Sequence, residues 1–188
     1  MTTTPTASPT ESLVRALFGR RTGPVAALAT DADSLARACR AMAGRFATGG
    51  RLLAAGRGPA AADAAHVVVE FVHPVVVGTR ALPAIALPDG GTPTSVALFG
   101  EPGDILLALS PDGAGADLAA ALALARDRGL LTVALLGGDG GAAARVSGVG
   151  HSIVIGSDDR RVVREAHVTA YHVLWELVHV FLAGEPAG

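Results

Sequence analysis

Five short, unbroken apolar stretches restrict what this chain can fold into more than any other feature. They are 51–55 (RLLAA), 82–87 (LPAIAL), 104–109 (DILLAL), 130–136 (LLTVALL) and 152–155 (SIVI). A strand with one wet face alternates polar and apolar residues, and these do not. Both faces must therefore be covered, as in a parallel sheet whose crossovers are helices. Helical patterns follow at 59–72, 116–128 and 159–182. Two more precede the first strand, at 11–18 and 25–46, separated by Gly23 and Pro24; in the longer one Leu28, Leu35, Cys39 and Met42 recur at helical spacing, and Gly49 and Gly50 end it. The reading is an α/β fold, a three-layer αβα arrangement of the flavodoxin-like kind around a five-stranded parallel sheet, preceded by N-terminal helices. Ligands bind such sheets where loops leave the carboxyl ends of the strands. That places the site at the loops 56–60 and 110–115.

A chain of 188 residues suits one domain. Residues 1–12, rich in Thr, Pro and Ser, read as a tail without the features of a signal peptide. Residues 13–184 form the domain: 13–48 as helices for oligomerisation, 51–156 as the sheet core, 159–182 as the last helix. The apolar share is 50% and aromatics only 4%, so the core is aliphatic and built of small residues. A mean hydropathy of +0.44 is high for a soluble monomer and predicts apolar helix faces covered by further copies, a homotetramer or homodimer. No apolar run reaches the roughly 18 residues of a membrane span, and the expected compartment is the cytoplasm. A net charge of −2 offers no field for nucleic acid. All the basic side chains are Arg, which reads as a compositional bias. Cys39 is alone, which excludes an internal disulfide or a thiolate cluster, and it reads as a small core residue.

Three constellations carry candidate chemistry. The first loop, Gly56-Arg57-Gly58-Pro59-Ala60-Ala61, has the spacing of a dinucleotide turn. No acidic residue follows at the required distance, where Val75, Val76 and Val77 stand, so a tight strand-to-helix turn with Pro59 at the first helical position is the simpler reading. Behind it, His66 and Glu70 lie four apart on one helix face beside Asp63. They are either a solvated ion pair or, given the surrounding Ala and Val, a pair suited to proton transfer or metal ligation. The last helix carries Arg164, Glu165, His167, His172, Glu176 and His179; Glu165, His172, Glu176 and His179 form a polar stripe to be satisfied by a subunit interface or by a ligand.

The segment GRLLAAGRGPAAADAAHVVVEFV resembles the stretch of phosphoheptose isomerases that usually reads GNGGSAADAQH with a Glu four residues later. GDILLALSPDGAG is similar to that family's GD…STSGNS loop, and REAHVTAYHVLWELV to its terminal QEVH…H helix. The likeness runs from about residue 25 to 182 and identifies the chain as a sugar-isomerase (SIS) domain of the phosphoheptose isomerase subgroup. It implies interconversion of sedoheptulose 7-phosphate and a heptose 7-phosphate through an enediol, with Glu70 as base and His172 as the proton-shuttling histidine. It also implies a phosphosugar ligand held around Gly56, Arg57, Gly58, Asp63, Ser110, Asp112, Gly113 and Arg164.

Family members also bind zinc through a His, that Glu, a Gln and the terminal His. His66, Glu70 and His172 match, but the Gln position is Arg164, whose guanidinium repels a cation. The expectation is therefore no cofactor, with Arg164 supplying the missing charge by pairing with Glu70. The phosphate loops depart further: Pro59, Ala60, Pro111, Asp112, Ala114 and Gly115 stand where the family has Gly, Asn and hydroxyl residues, and in the second loop only Ser110 remains of the hydroxyls. Asp112 puts a negative charge where a phosphate would sit, and Arg57 is expected to offset it or pair with it and seal the pocket. Two functions remain open: a phosphosugar isomerase of weakened grip, or a non-catalytic oligomeric SIS module that binds a protein partner.

Overall fold

The computed structural model describes residues 8–76 and 78–184. Most of the expected tail, 1–7, lies outside the described residues. Five strands, β1 (Leu52–Gly56), β2 (Ala84–Ala86), β3 (Ile105–Ser110), β4 (Leu131–Gly137) and β5 (His151–Ile155), form one sheet in the order β2-β1-β3-β4-β5. Every pairing is parallel. The helices are α1 (Pro9–Thr30), α2 (Ala32–Ala47), α3 (Pro59–Val72), α4 (Pro93–Phe99), α5 (Ala116–Asp127), α6 (Gly141–Ala144) and α7 (Arg160–Ala183).

The three central strands divide their residues between two covered faces, whereas the edge strands do not: Ala86 of β2 and Ser152 and Val154 of β5 are exposed. Leu52, Ala54, Leu107, Leu109, Val133 and Leu135 pack in a core shared with α2, α3 and α7. Their neighbours Leu53, Ala55, Leu106, Ala108, Ala134 and Leu136 face Val96 of α4, Ala121, Leu122 and Ala125 of α5 and Ala143 of α6. The alternation of β-strand side chains is intact; in the central strands both sides are dry. None of the described helices is long and apolar enough to cross a membrane.

The N-terminal helices differ from the sequence reading in where they break. α1 runs straight through Pro24 to Thr30, and the turn falls at Asp31, with φ −104° and ψ 32°. Proline costs a helix one hydrogen bond and crowds the preceding turn, yet it need not end it. The break is set by packing: α1 buries none of its side chains completely, whereas α2 buries Leu35, Ala38, Cys39, Met42, Ala43 and Phe46. The chain turns where the docking face begins. α1 also starts at Pro9, because the Ser8 hydroxyl accepts the Glu11 N–H at 3.1 Å. The short helix α4 was not foreseen; the Thr92 hydroxyl caps it by accepting the Ser95 N–H at 3.2 Å.

The strand order reverses between β1 and β3, which opens a crevice at their carboxyl ends. Gly56 brings α3 directly over that end: a Cβ there would stand 2.3 Å from the Ala60 carbonyl oxygen. Gly58, at φ +56°, completes the turn before Pro59. Close packing and turn geometry thus account for the glycines of the G-x-G-x-x-A segment.

His167 of α7 is wholly buried, and burial pulls its pKa below the ordinary value of 6.5; His151 is shifted the same way by burial and then by Arg37. Unfolding frees both imidazoles to take up protons as pH falls through about 6.5, so stability drops as pH falls below that value. Asp139 and Asp159, whose carboxyls are held below the usual range by hydrogen bonds, act only below about pH 4. Chemical denaturation between roughly pH 7.5 and roughly pH 5.5 should give a falling unfolding free energy. His167→Gln should lower stability throughout and flatten that slope; an unchanged slope would assign it to other groups.

Candidate active site

Helices α3 and α7 follow parallel strands and pack side by side, so ascending residues on one meet ascending residues on the other. Three polar contacts mark the seam. Arg164 donates from Nε and Nη2 to the two oxygens of Asp63, at 2.7 and 2.8 Å. His66 Nδ1 lies 2.7 Å from the Tyr171 hydroxyl. Glu70 Oε1 lies 3.0 Å from His66 Nε2 and 3.9 Å from His172 Nε2. The His66 and His172 rings meet edge to face, with centroids 5.3 Å apart. Glu70 is the sheltered member, with 13% of its side chain exposed against 44% for His66 and 40% for His172.

The hydrogen-bond roles follow from the partners. An ionised carboxylate only accepts, so His66 carries its proton on Nε2 and donates it to Glu70. In the neutral ring Nδ1 then accepts from the Tyr171 hydroxyl; with zinc on Nε2 the ring proton would sit on Nδ1 and the Tyr171 oxygen would accept it. Burial, followed by Asp63 and Glu70, pushes the Tyr171 pKa up to about 12, which keeps the phenol a donor. Tyr171 thereby fixes the ring of His66 with Nε2 aimed at Glu70.

Among the described residues, His66, Glu70 and His172 are also the group whose potential ligand atoms converge, all lying within 4.8 Å of one another. Two imidazoles and a carboxylate with an open fourth position are a donor set that zinc accepts in catalytic sites. The expected pairing of Arg164 with Glu70 does not occur. The guanidinium is bound two-pronged by Asp63, a carboxylate with only 9% of its side chain exposed, and its charge is balanced there. The repulsion anticipated from Arg164 is accordingly answered within the chain.

At the crevice a cavity of about 440 Å³ is lined by residues from both predicted loops and from the start of α7. Gly56, Arg57, Gly58, Ser110, Asp112 and Arg164 all line it. Two other predicted residues have different places: Asp63 is the partner of Arg164, and Gly113 is a packing residue. A Cβ on Gly113 would stand 2.0 Å from the Gly140 carbonyl oxygen. Nor does Arg57 pair with Asp112. Arg57 Nη1 donates to Asp117 at 2.8 Å, and Asp112 is bound by Arg160, an ion pair the sequence reading did not foresee. The stripe on α7 also disperses: Glu165 receives Arg21 of α1 at 2.6 Å, His179 lies between the Trp175 and Arg80 carbonyl oxygens, and Glu176 is exposed.

Sequence reasoning missed Tyr171, Arg160 and Arg161. Tyr171 gave no signal beyond being the chain's one Tyr. The arginines did give one: two cations in the first turn of a helix oppose its dipole.

The family model described as "SIS domain" matches residues 25–137. The phosphoheptose isomerase of Chlorobium phaeobacteroides is 42% identical over 159 residues, covering 74% of this chain and 69% of that protein. The chain belongs to the SIS family, in its phosphoheptose isomerase-like branch. The phosphoheptose isomerase of Halorhodospira halophila is 36% identical over 173 residues, covering 84% and 87% of the two chains. The fold matches the solved structure of a phosphoheptose isomerase from Francisella tularensis with a TM-score of 0.82, covering 92% of this chain and 99% of that one at 23% identity.

If Tyr171 orients His66 as a ligand, Tyr171→Phe should weaken binding of added zinc about 10-fold, read by competition with a chromogenic chelator. It should cost only about 1 kcal/mol of stability. Unchanged zinc affinity would make the hydroxyl a structural group alone.

Proposed function

We propose that this SIS-family chain is an aldose–ketose isomerase acting on a seven-carbon sugar phosphate, sedoheptulose 7-phosphate in one direction. The observation that carries the reading is the convergence of Glu70, His66 and His172 on the α3–α7 seam, whose Arg164 also lines the switch-point cavity. Glu70, sheltered and held by His66, takes the proton alpha to the sugar carbonyl and returns it to the adjacent carbon. His172, half-exposed beside it, moves the second proton between the two oxygens of the enediol. His66 and Tyr171 hold the carboxylate in place. His66, Glu70 and His172 would hold a zinc ion, which when bound would polarise the sugar oxygens.

Ligand length supports the choice of substrate. Asp63, behind the cavity wall, and Glu70 are seven residues apart on α3, a rise of about 10 Å. A phosphate in the cavity and a reacting carbonyl at Glu70 therefore belong to the two ends of a long open chain. A sugar with phosphate on its seventh carbon and chemistry at its first two has that form. The relatives named phosphoheptose isomerase favour this over a purely binding role. The cytoplasm, where such sugar phosphates occur, is the fitting compartment.

The reacting end is open on one side, with His66 and His172 partly exposed, and a second copy of the chain is the proposed cover. Phe18, exposed at 70%, and Leu13, Val14 and Leu17 leave α1 with an apolar surface, which supports self-association. Sedimentation at micromolar concentration should give a dimer or tetramer; a monomer would remove the proposal. For the chemistry, Glu70→Gln should lower kcat on sedoheptulose 7-phosphate by at least about 100-fold with KM little changed. Full turnover in that variant would sink the isomerase assignment to this site.

A further inference from the structure

The cavity at the β1–β3 crevice is lined by four guanidiniums, Arg57, Arg160, Arg161 and Arg164, and by a single carboxylate, Asp112. Two of the four are committed. Arg164 is fastened two-pronged to Asp63, and Arg161 reaches both oxygens of Asp159, the residue that caps α7. The other two are held lightly. Arg57 meets Asp117 with both side chains 56% exposed, and Arg160 meets Asp112 with 73% and 35% exposed. Exposed pairs of this kind contribute little, so a stronger anion can replace their carboxylates.

The surroundings of Asp112 show what that anion would find. Its Oδ1 accepts the Ser110 hydroxyl at 3.2 Å and the Ala114 N–H at 2.9 Å, and its Oδ2 accepts the Arg160 guanidinium. A hydroxyl, a backbone N–H and a guanidinium converging on one group are the donor set of an oxyanion site. Asp112 is the anion occupying it. Arg160, moreover, sits in the first turn of a 24-residue helix, where the dipole disfavours a cation. A bound dianion reverses that penalty.

We infer that Arg160 and Arg57 form a clamp for the phosphate end of the ligand, and that Asp112 is an internal anion which the phosphate displaces. The inference rests on the isomerase reading only for the identity of the ester; the clamp itself selects a dianionic oxyanion over an uncharged or singly charged group. Arg57 reaches the cavity from the loop after β1, steadied by the Asp89 carbonyl at 3.3 Å, and Arg160 reaches it from the start of α7. The Ser110 hydroxyl and Ala114 N–H, released by Asp112, complete the shell.

Calorimetric titration with inorganic phosphate tests this on the full-length protein. Asp112→Asn keeps the side-chain volume and removes the competing charge, and it should bind phosphate about tenfold more tightly than the parent. Arg160→Gln should bind at least tenfold more weakly, and its affinity should depend less on salt. Both side chains are partly exposed, and circular dichroism with a melting curve confirms folding before titration. Equal or weaker binding by Asp112→Asn, unchanged binding by Arg160→Gln, or no phosphate binding by either the parent or Asp112→Asn at about 10 mM, overturns the inference. Tighter phosphate binding by Asp112→Asn in a protein that never turns over sugar phosphate would keep the clamp and reject the isomerase.

Discussion

The two-pronged pair between Arg164 and Asp63 is the contact on which the rest of the site depends. Asp63 is nearly buried under α7, and a carboxylate there is tolerable only while a matched cation covers it. Arg164 reaches it from one turn inside α7 and still borders the cavity. The pair therefore fixes the register of α3 against α7. With that register set, the adjacent Tyr171 and His172, two turns beyond Arg164 on α7, meet His66 and Glu70, which lie one and two turns beyond Asp63 on α3. A shift of α7 by one residue would carry Tyr171 and His172 out of reach of their partners together. The same pair removes the electrostatic objection to a cation at His66, Glu70 and His172, because the positive charge of Arg164 is spent on a carboxylate of its own.

Much of the scaffold was legible in the sequence because its signals are local. The unbroken apolar runs of β1, β3 and β4 are dry on both faces, those of the edge strands β2 and β5 are not, and the sheet is parallel with the reversal of order that puts ligand loops after β1 and β3. Gly56 and Pro59 announced a tight turn by their chemistry. The helix break near residue 24 was misread because punctuation by Gly and Pro was given more weight than burial, and burial begins only at Leu35. Pairings were the least legible. Arg164 and Glu70, or Arg57 and Asp112, are sensible partners on charge alone. Which carboxylate an arginine reaches depends on the crossing of helices far apart in sequence, as the 101 residues between Asp63 and Arg164 illustrate.

The loops of this cavity carry few hydroxyls, and its charged lining changes how an anion must be held. Hydroxyls and backbone amides select by distance and direction, and they lose little when salt is added. Guanidiniums act over a longer range and are screened, on a scale of about 8 Å at physiological ionic strength. A pocket that relies on them needs internal carboxylates to hold the arginines in place while it is empty. Asp63, Asp117, Asp159 and Asp112 do so here, each with its own arginine. Of these, only Asp112 lines the cavity and accepts from its loop donors as well. In the proposed clamp, Pro111 and Asp112 in the loop and the arginines at the start of α7 are consequently one arrangement. Removing the loop hydroxyls alone would leave the anion without a grip, and adding the arginines alone would leave like charges facing one another across an open cavity.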